Sequence, residues 1–140
     1  MGQQQVKVGV IGAGHLGRYH IECISRIEGF SLIGFYDIDK ARAEEISTKY
    51  NLTAFESPEA LMESVEALCI VTPTVAHFDM AVTAIEAGKH LFIEKPLTSD
   101  PVTSRKLADL IAAKGVVGRV GHVERYNPAF IAAQKMGIDK

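Results

Sequence analysis

Val6-Lys7-Val8-Gly9-Val10-Ile11-Gly12-Ala13-Gly14-His15-Leu16-Gly17 decides the fold: a short β-branched run breaks into G-x-G-x-x-G and then into the apolar spacing of a helix. Glycines gather in many turns, but a strand before them and a helix after them make a dinucleotide-binding turn. Gly12 permits the tight strand-to-helix turn, Gly14 lets backbone approach a pyrophosphate, and Gly17 lets the helix pack closely on the strand. The phosphates then meet the unpaired N–H groups and the positive dipole end at the helix N-terminus. Twenty residues after Gly17, a second apolar run, Phe30 to Tyr36, closes on Asp37. A carboxylate there accepts hydrogen bonds from ribose hydroxyls, with Ile38 beside it.

Outward from this turn, strand-like and helix-like runs alternate. Leu16, Tyr19, Cys23 and Ile27 recur at spacings of three and four and are expected to face the sheet, with Gly29 ending that helix. Asp39 is placed to cap a helix through Tyr50 with Ala43, Ile46 and Tyr50 inward. A short strand over residues 53–55 precedes Ser57-Pro58, a cap followed by proline at the first helical position. Ala67-Leu68-Cys69-Ile70-Val71 is apolar without alternation, as in a strand covered on both faces. Phe78, Ala81, Val82 and Ile85 give the next helix its stripe, and Gly88 stops it. His90 to Ile93 is a fifth strand, Ser99 or Asp100 caps a helix with Leu107, Leu110 and Ile111 inward, and Val116 to Val120 is a sixth strand. A last helix runs through Met136. Six such alternations predict an α/β fold: a doubly wound parallel sheet of the Rossmann type, about six strands flanked by helices.

With 140 residues, 47% hydrophobic and 23% charged, the chain is the size of one domain with a real core. A net charge of −2 and a pI near 6.2 make no electrostatic case for nucleic acid or an anionic membrane as partner. No apolar run approaches the ~18 residues of a spanning helix, and the first residues lack the pattern of a signal peptide. The expected location is the cytoplasm, with Cys23 and Cys69 as buried free thiols. The five histidines show no ligand spacing, so no metal site is expected.

In open α/β sheets the ligand lies beyond the carboxyl ends of the strands. Those ends carry Gly12 to Gly17, Asp37, Thr72-Pro73-Thr74, Glu94-Lys95-Pro96 and His122. Together with Val75-Ala76-His77, these residues make the chain resemble the Gfo/Idh/MocA oxidoreductases, named for glucose-fructose oxidoreductase and inositol dehydrogenase, over their N-terminal NAD(P)-binding Rossmann domain. Glu94-Lys95-Pro96 is the most specific signal of that resemblance.

The resemblance implies a nicotinamide cofactor, with NAD expected over NADP because Asp37 would repel a 2′-phosphate. Arg42, about one helical turn past the Asp39 cap, would partly compensate. The cofactor would lie on Gly12, Ala13, Gly14, His15, Leu16, Gly17, Asp37, Ile38, Thr72, Pro73, His77, Glu94 and Lys95. Lys95 would be the catalytic residue, its ammonium polarising a carbonyl or steadying an alkoxide. A cis Lys95–Pro96 bond would aim it, and as an isolated histidine His77 is more often a hydrogen-bonded framework residue. The stretch after the sixth strand resembles members acting on sugars, in particular nucleotide-linked N-acetyl hexosamines oxidised at the 3-position, and makes His122, Arg125 and Asn127 substrate-side candidates.

By the same resemblance, residues 1–126 read as the dinucleotide-binding domain and 127–140 as the start of the linker or helix toward a C-terminal substrate domain. The expected function is the cofactor part of an oxidoreductase moving hydride to or from a secondary alcohol of a sugar, polyol or nucleotide sugar. The chain alone would bind cofactor without turnover, and only the full-length protein would form a homo-oligomer. A different class of function, a non-catalytic module that senses NAD(H) or docks a partner, has the same motifs up to the last strand.

Overall fold

Each apolar run becomes a strand because it is followed by a turn signal that forces the chain to cross over the sheet. The computed structural model describes residues 5–137. Its strands are β1 (Val6–Ile11), β2 (Phe30–Tyr36), β3 (Thr53–Ala54), β4 (Ala67–Ile70), β5 (His90–Ile93) and β6 (Gly118–Val120). The helices are α1 (His15–Ile24), α2 (Lys40–Tyr50), α3 (Pro58–Ser64), α4 (His77–Glu86), α5 (Pro101–Lys114) and α6 (Pro128–Lys135). All neighbouring strands pair in parallel, in the order β3-β2-β1-β4-β5-β6. This is the doubly wound sheet expected from the alternation, with its switch point between β1 and β4.

The period of two along each strand sends alternate residues to two separate cores. Ile11, Leu68, Ile70, Leu91 and Ile93 join Leu61, Ala81, Ile85 and Leu107 on one side. Val8, Val10, Phe35 and Cys69 join Ile21, Ile24 and Ile46 on the other. Helix starts follow the capping signals: Asp39, Ser57 and Asp100 each accept a backbone N–H with the side chain. Asp100, rather than Ser99, caps α5, since Pro101 takes the first helical position.

The first helix is rotated from the expected stripe. Leu16, Tyr19 and Ile27 are 46–54% exposed and Cys23 is exposed, while Gly17, Ile21 and Ile24 are buried. Close approach at Gly17 sets this rotation, because residues four and seven positions later then face the sheet with it. Cys23 is therefore a surface thiol and only Cys69 is buried. The helix also ends earlier than expected, at Ile24, and Gly29 serves a later turn with φ +92°. In α4 the fully buried stripe is His77, Ala81, Ala84 and Ile85, with Phe78 and Val82 half-buried beside it. After β6 a 3-10 turn, Val123–Tyr126, leads to α6, whose Phe130 and Ile131 remain exposed, as does Met136 at its C-cap. Among the described residues no helix is long and apolar enough to cross a membrane.

Candidate functional site

At the switch point the glycine turn does what its spacing requires. Gly12 has φ +93°, and a Cβ there would stand 2.7 Å from the Val71 carbonyl oxygen on the neighbouring strand end. A Cβ on Gly17 would run into the Gly12 carbonyl. Gly14 faces open space, and as the N-cap of α1 it offers no side chain to the helix N–H groups. The first turn of α1 carries no acidic residue, so His15, Leu16 and Gly17 present a helix start suited to an anion.

Asp37, at the end of β2, is buried against this turn. Its Oδ2 accepts the Ala13 N–H at 2.7 Å and its Oδ1 accepts the Asp39 N–H at 2.9 Å. Arg42 donates from Nη1 to the same two oxygens at 3.1 and 3.3 Å. Both backbone donors are fixed by the fold, whereas the guanidinium is 38% exposed and held only by side-chain torsions. Ile38 beside it is 86% exposed.

Across the switch point stands Thr72, just past β4. Its hydroxyl is buried and is the one side-chain polar atom among the described residues so buried without a hydrogen-bond partner. Such an atom costs about 1–3 kcal/mol unless a ligand or water meets it. Thr72 lines a groove of about 420 Å³ together with Gly12, Gly14, Asp37, Pro73 and Val75 among others. The donor set fits a dinucleotide: glycines where the backbone must come close, a helix start for phosphate, a carboxylate for a diol, and a hydroxyl with its hydrogen bond unspent.

His77, expected against the ribose or nicotinamide, is 1% exposed and turned into the protein. Its Nδ1 meets the Pro96 carbonyl and its Nε2 the Thr72 carbonyl, both at 2.9 Å. It therefore ties the end of β4 to the end of β5 and has no ring nitrogen left for a cofactor, the framework role the residue type allows.

Glu94 ends β5 at 7% exposure. Its Oε2 accepts the Lys95 N–H at 3.0 Å and its Oε1 pairs with His20 Nε2 at 2.9 Å. Lys95 is exposed, joined to Pro96 by a cis bond, and its ammonium enters no ion pair among the described residues. His20 carries no motif of its own; the signal was its position three residues past Gly17, on the side of α1 that Gly17 turns to the sheet. Behind it, Cys69 Sγ lies 3.3 Å from His20 Nδ1. Burial, and secondly the Glu94 charge, push the Cys69 thiol far up, so it stays protonated.

Of the substrate-side candidates, His122 and Arg125 are exposed on the segment after β6. Asn127 is otherwise engaged: it caps α6 by accepting the Ala129 N–H at 2.9 Å and donates to Glu124. An Asn before Pro at a helix start is an N-cap by its chemistry, which explains that outcome.

The sequence and the fold have relatives among known proteins. Residues 6–122 match the model of the GFO_IDH_MocA family, described as an oxidoreductase family with an NAD-binding Rossmann fold. The chain is 38% identical over 133 residues to UDP-N-acetylglucosamine 3-dehydrogenase of Acidithiobacillus ferrooxidans, covering 95% of this chain and 42% of that protein. It is 34% identical over 137 residues to the scyllo-inositol 2-dehydrogenase (NAD(+)) of Bacillus subtilis, covering 95% and 40%. A solved structure of the Acidithiobacillus enzyme superposes with a TM-score of 0.88 over 95% of this chain and 44% of that one. GenD2 from gentamicin A biosynthesis, solved in complex with NAD, superposes with a TM-score of 0.90 at 25% identity over 97% of this chain and 40% of that one. The chain thus spans about two fifths of the length of these relatives, and it belongs to the Gfo/Idh/MocA oxidoreductase family through that family's NAD-binding Rossmann domain.

Proposed function

We propose that this chain is the cofactor-holding part of an oxidoreductase that moves hydride between NAD and a secondary alcohol of a sugar, polyol or nucleotide sugar. The observation that carries this reading is the buried, unpaired hydroxyl of Thr72, a residue that lines the same groove as Asp37 and the glycine turn. The dehydrogenase names of the relatives support the reaction class. The cofactor, when bound, supplies the hydride acceptor; the protein's residues supply the rest.

In this reading the N–H groups of Ala13 to Gly17 hold the pyrophosphate, and Asp37 takes the adenosine ribose diol by exchanging its Arg42 contacts, the more exposed pair, for hydroxyl donors. Thr72 and Pro73 border the nicotinamide half, and Glu94 sets the strand end that presents Lys95. The Lys95 ammonium donates a hydrogen bond to the substrate oxygen and stabilises the negative charge that develops there. NAD is preferred to NADP because a 2′-phosphate would meet a buried carboxylate. Residues 1–126 form this module and 127–140 lead toward a substrate domain. His122 and Arg125 stand on the substrate side, with a small polyhydroxylated molecule as partner. The assembled protein is cytoplasmic and its homo-oligomer contacts lie outside this module.

Positioning the alcohol carbon against the nicotinamide is worth about 7–11 kcal/mol, and a second wall is needed to provide it. The chain alone is therefore expected to bind NAD without turning over. The test is NAD-induced amide shifts in the labelled chain, run beside NADH formation over nucleotide sugars, inositols and hexoses. Shifts concentrated at residues 12–17, 37 and 72 without NADH formation are expected. Substrate-dependent NADH from these 140 residues would refute the need for a second wall, and absence of shifts would refute the cofactor role.

A further inference from the structure

Three side chains from three elements line up beneath Lys95: Cys69 from β4, His20 from α1 and Glu94 at the end of β5. A carboxylate only accepts, so His20 Nε2 must carry the proton it shares with Glu94. Cys69 is held as the thiol, and its S–H is then the donor to His20 Nδ1. The remaining Glu94 oxygen accepts the Lys95 N–H. The two side-chain hydrogen bonds point the same way, from thiol to imidazole to carboxylate, and such chains strengthen one another, while the Lys95 N–H meets the carboxylate from the other end.

Glu94 has little freedom to turn out of this line. A Cβ on Gly121 would stand 3.2 Å from the Glu94 carboxyl carbon and Oε1, so the β6 end presses on one side of the carboxylate. His20 closes another side, its ring tilted against Phe92 at 5.4 Å. The side chains of His20 and Glu94 are 19% and 10% exposed, so water is a poor replacement for either.

We propose that His20 is a positioning residue: as the Nε2–H tautomer it aims the Glu94 carboxylate at the Lys95 N–H and thereby fixes the strand end from which Lys95 reaches the reacting centre. The positioning claim stands on the hydrogen bonds themselves, while its consequence for the reaction rests on the proposed role of Lys95. Misplacement of a reacting group by ~1 Å can cost about 10²-fold in rate, which is the scale at which an anchor of this kind matters.

The test uses the 140-residue chain and two independent readouts. Nitrogen-15 NMR of the histidine rings is expected to show His20 with its proton on Nε2; a proton on Nδ1 alone would overturn the proposal without any variant. In His20→Phe the Lys95 amide should exchange with solvent about tenfold faster, as expected when a charged hydrogen-bond acceptor loses its orienting partner. His20→Gln, whose amide nitrogen can donate from the place of Nε2, should restore exchange to within about twofold. Cys69→Ala should shift it in the same direction as Phe but by less, because a thiol is a weak donor. Equal exchange in the Phe, Gln and unchanged chains would overturn the proposal, as would Gln behaving like Phe. NADH titration of the same proteins separates the two readings. Failure of the unchanged chain to bind NADH would sink the cofactor role, while the Lys95 amide still decides the role of His20.

Discussion

Two carboxylates, each 7% exposed, close β2 and β5 on one edge of the same sheet, and they are held in different ways. Asp37 is gripped by two backbone N–H groups, from Ala13 in the glycine turn and Asp39 two residues on, with a guanidinium at its open side. Glu94 has one backbone donor, from Lys95, and depends for the other on a histidine 74 residues away. The first is therefore a fixed acceptor that belongs to the turn. The second is aimed by a distant side chain and serves the residue after it. The cation on Asp37 sits on its exposed side, whereas the imidazole donor on Glu94 keeps that carboxylate turned inward.

Breaking the first carboxylate should cost most. Asp37→Leu leaves the Ala13 and Asp39 N–H groups without their acceptor, each such unpaired donor costing about 1–3 kcal/mol, while the more exposed Arg42 returns to water. Urea unfolding is expected to register a loss of that size together with loss of NADH binding; unchanged unfolding would show that Asp37 does not brace the turn. Glu94→Gln keeps an acceptor for the Lys95 N–H but sets its amide NH2 against the His20 Nε2–H, so the cost of one unpaired donor, about 1–3 kcal/mol, is expected by the same measurement. If Glu94→Gln proved costlier than Asp37→Leu, the contrast between the two strand ends would be reversed.

Arg42 sharpens the comparison at smaller cost. At 38% side-chain exposure its ion pair should be worth less than about 1 kcal/mol to stability. Arg42→Ala should nonetheless weaken NADP binding several-fold more than NAD binding, since only the former gains from a nearby cation. A thiol titration checks the surroundings of Glu94: the exposed Cys23 should react in the native chain and the buried Cys69 only after unfolding. Two rapidly reacting thiols in the native state would contradict the burial of Cys69.

The smallest effect belongs to an exposed carboxylate that serves as a control. Asp100 accepts the Thr103 hydroxyl hydrogen and the N–H groups of Thr103 and Val102, chiefly the first, which holds its carboxyl below 3.8. Its folded value lies under the unfolded one, so its stabilisation is fully present above 3.8 and is lost as pH falls through the lower folded value. Asp100→Asn should melt within a few degrees of the unchanged chain at neutral pH and lose less on acidification to about pH 3. Equal acid sensitivity of the two proteins would rule out that linkage.

What could be read in the sequence followed how each group is held. The six-stranded alternation, the helix caps at Asp39 and Ser57, and the place of Asp37 all come from local signals, where donors and acceptors lie within one turn or one motif. The rotation of α1 was misread because Leu16, Tyr19, Cys23 and Ile27 make a clean apolar spacing, yet Gly17 sets which side meets the sheet. That error hid His20, whose meaning depends on the same rotation. For His77 the framework role was legible from the residue type but its partners were not, because they are backbone carbonyls at two strand ends that only the sheet order brings together. Asn127 caps α6, the local role that an Asn before Pro128 takes by its chemistry and that the resemblance did not point to.

The most direct measurement is calorimetric titration of the chain with NADH and NADPH at the same ionic strength. One equivalent of NADH with weaker NADPH, by a factor within the about 5–150-fold range of a typical coupling, is the result expected from a buried Asp37 facing the ribose. No saturable NADH binding, or NADPH bound as tightly or more tightly, would contradict it.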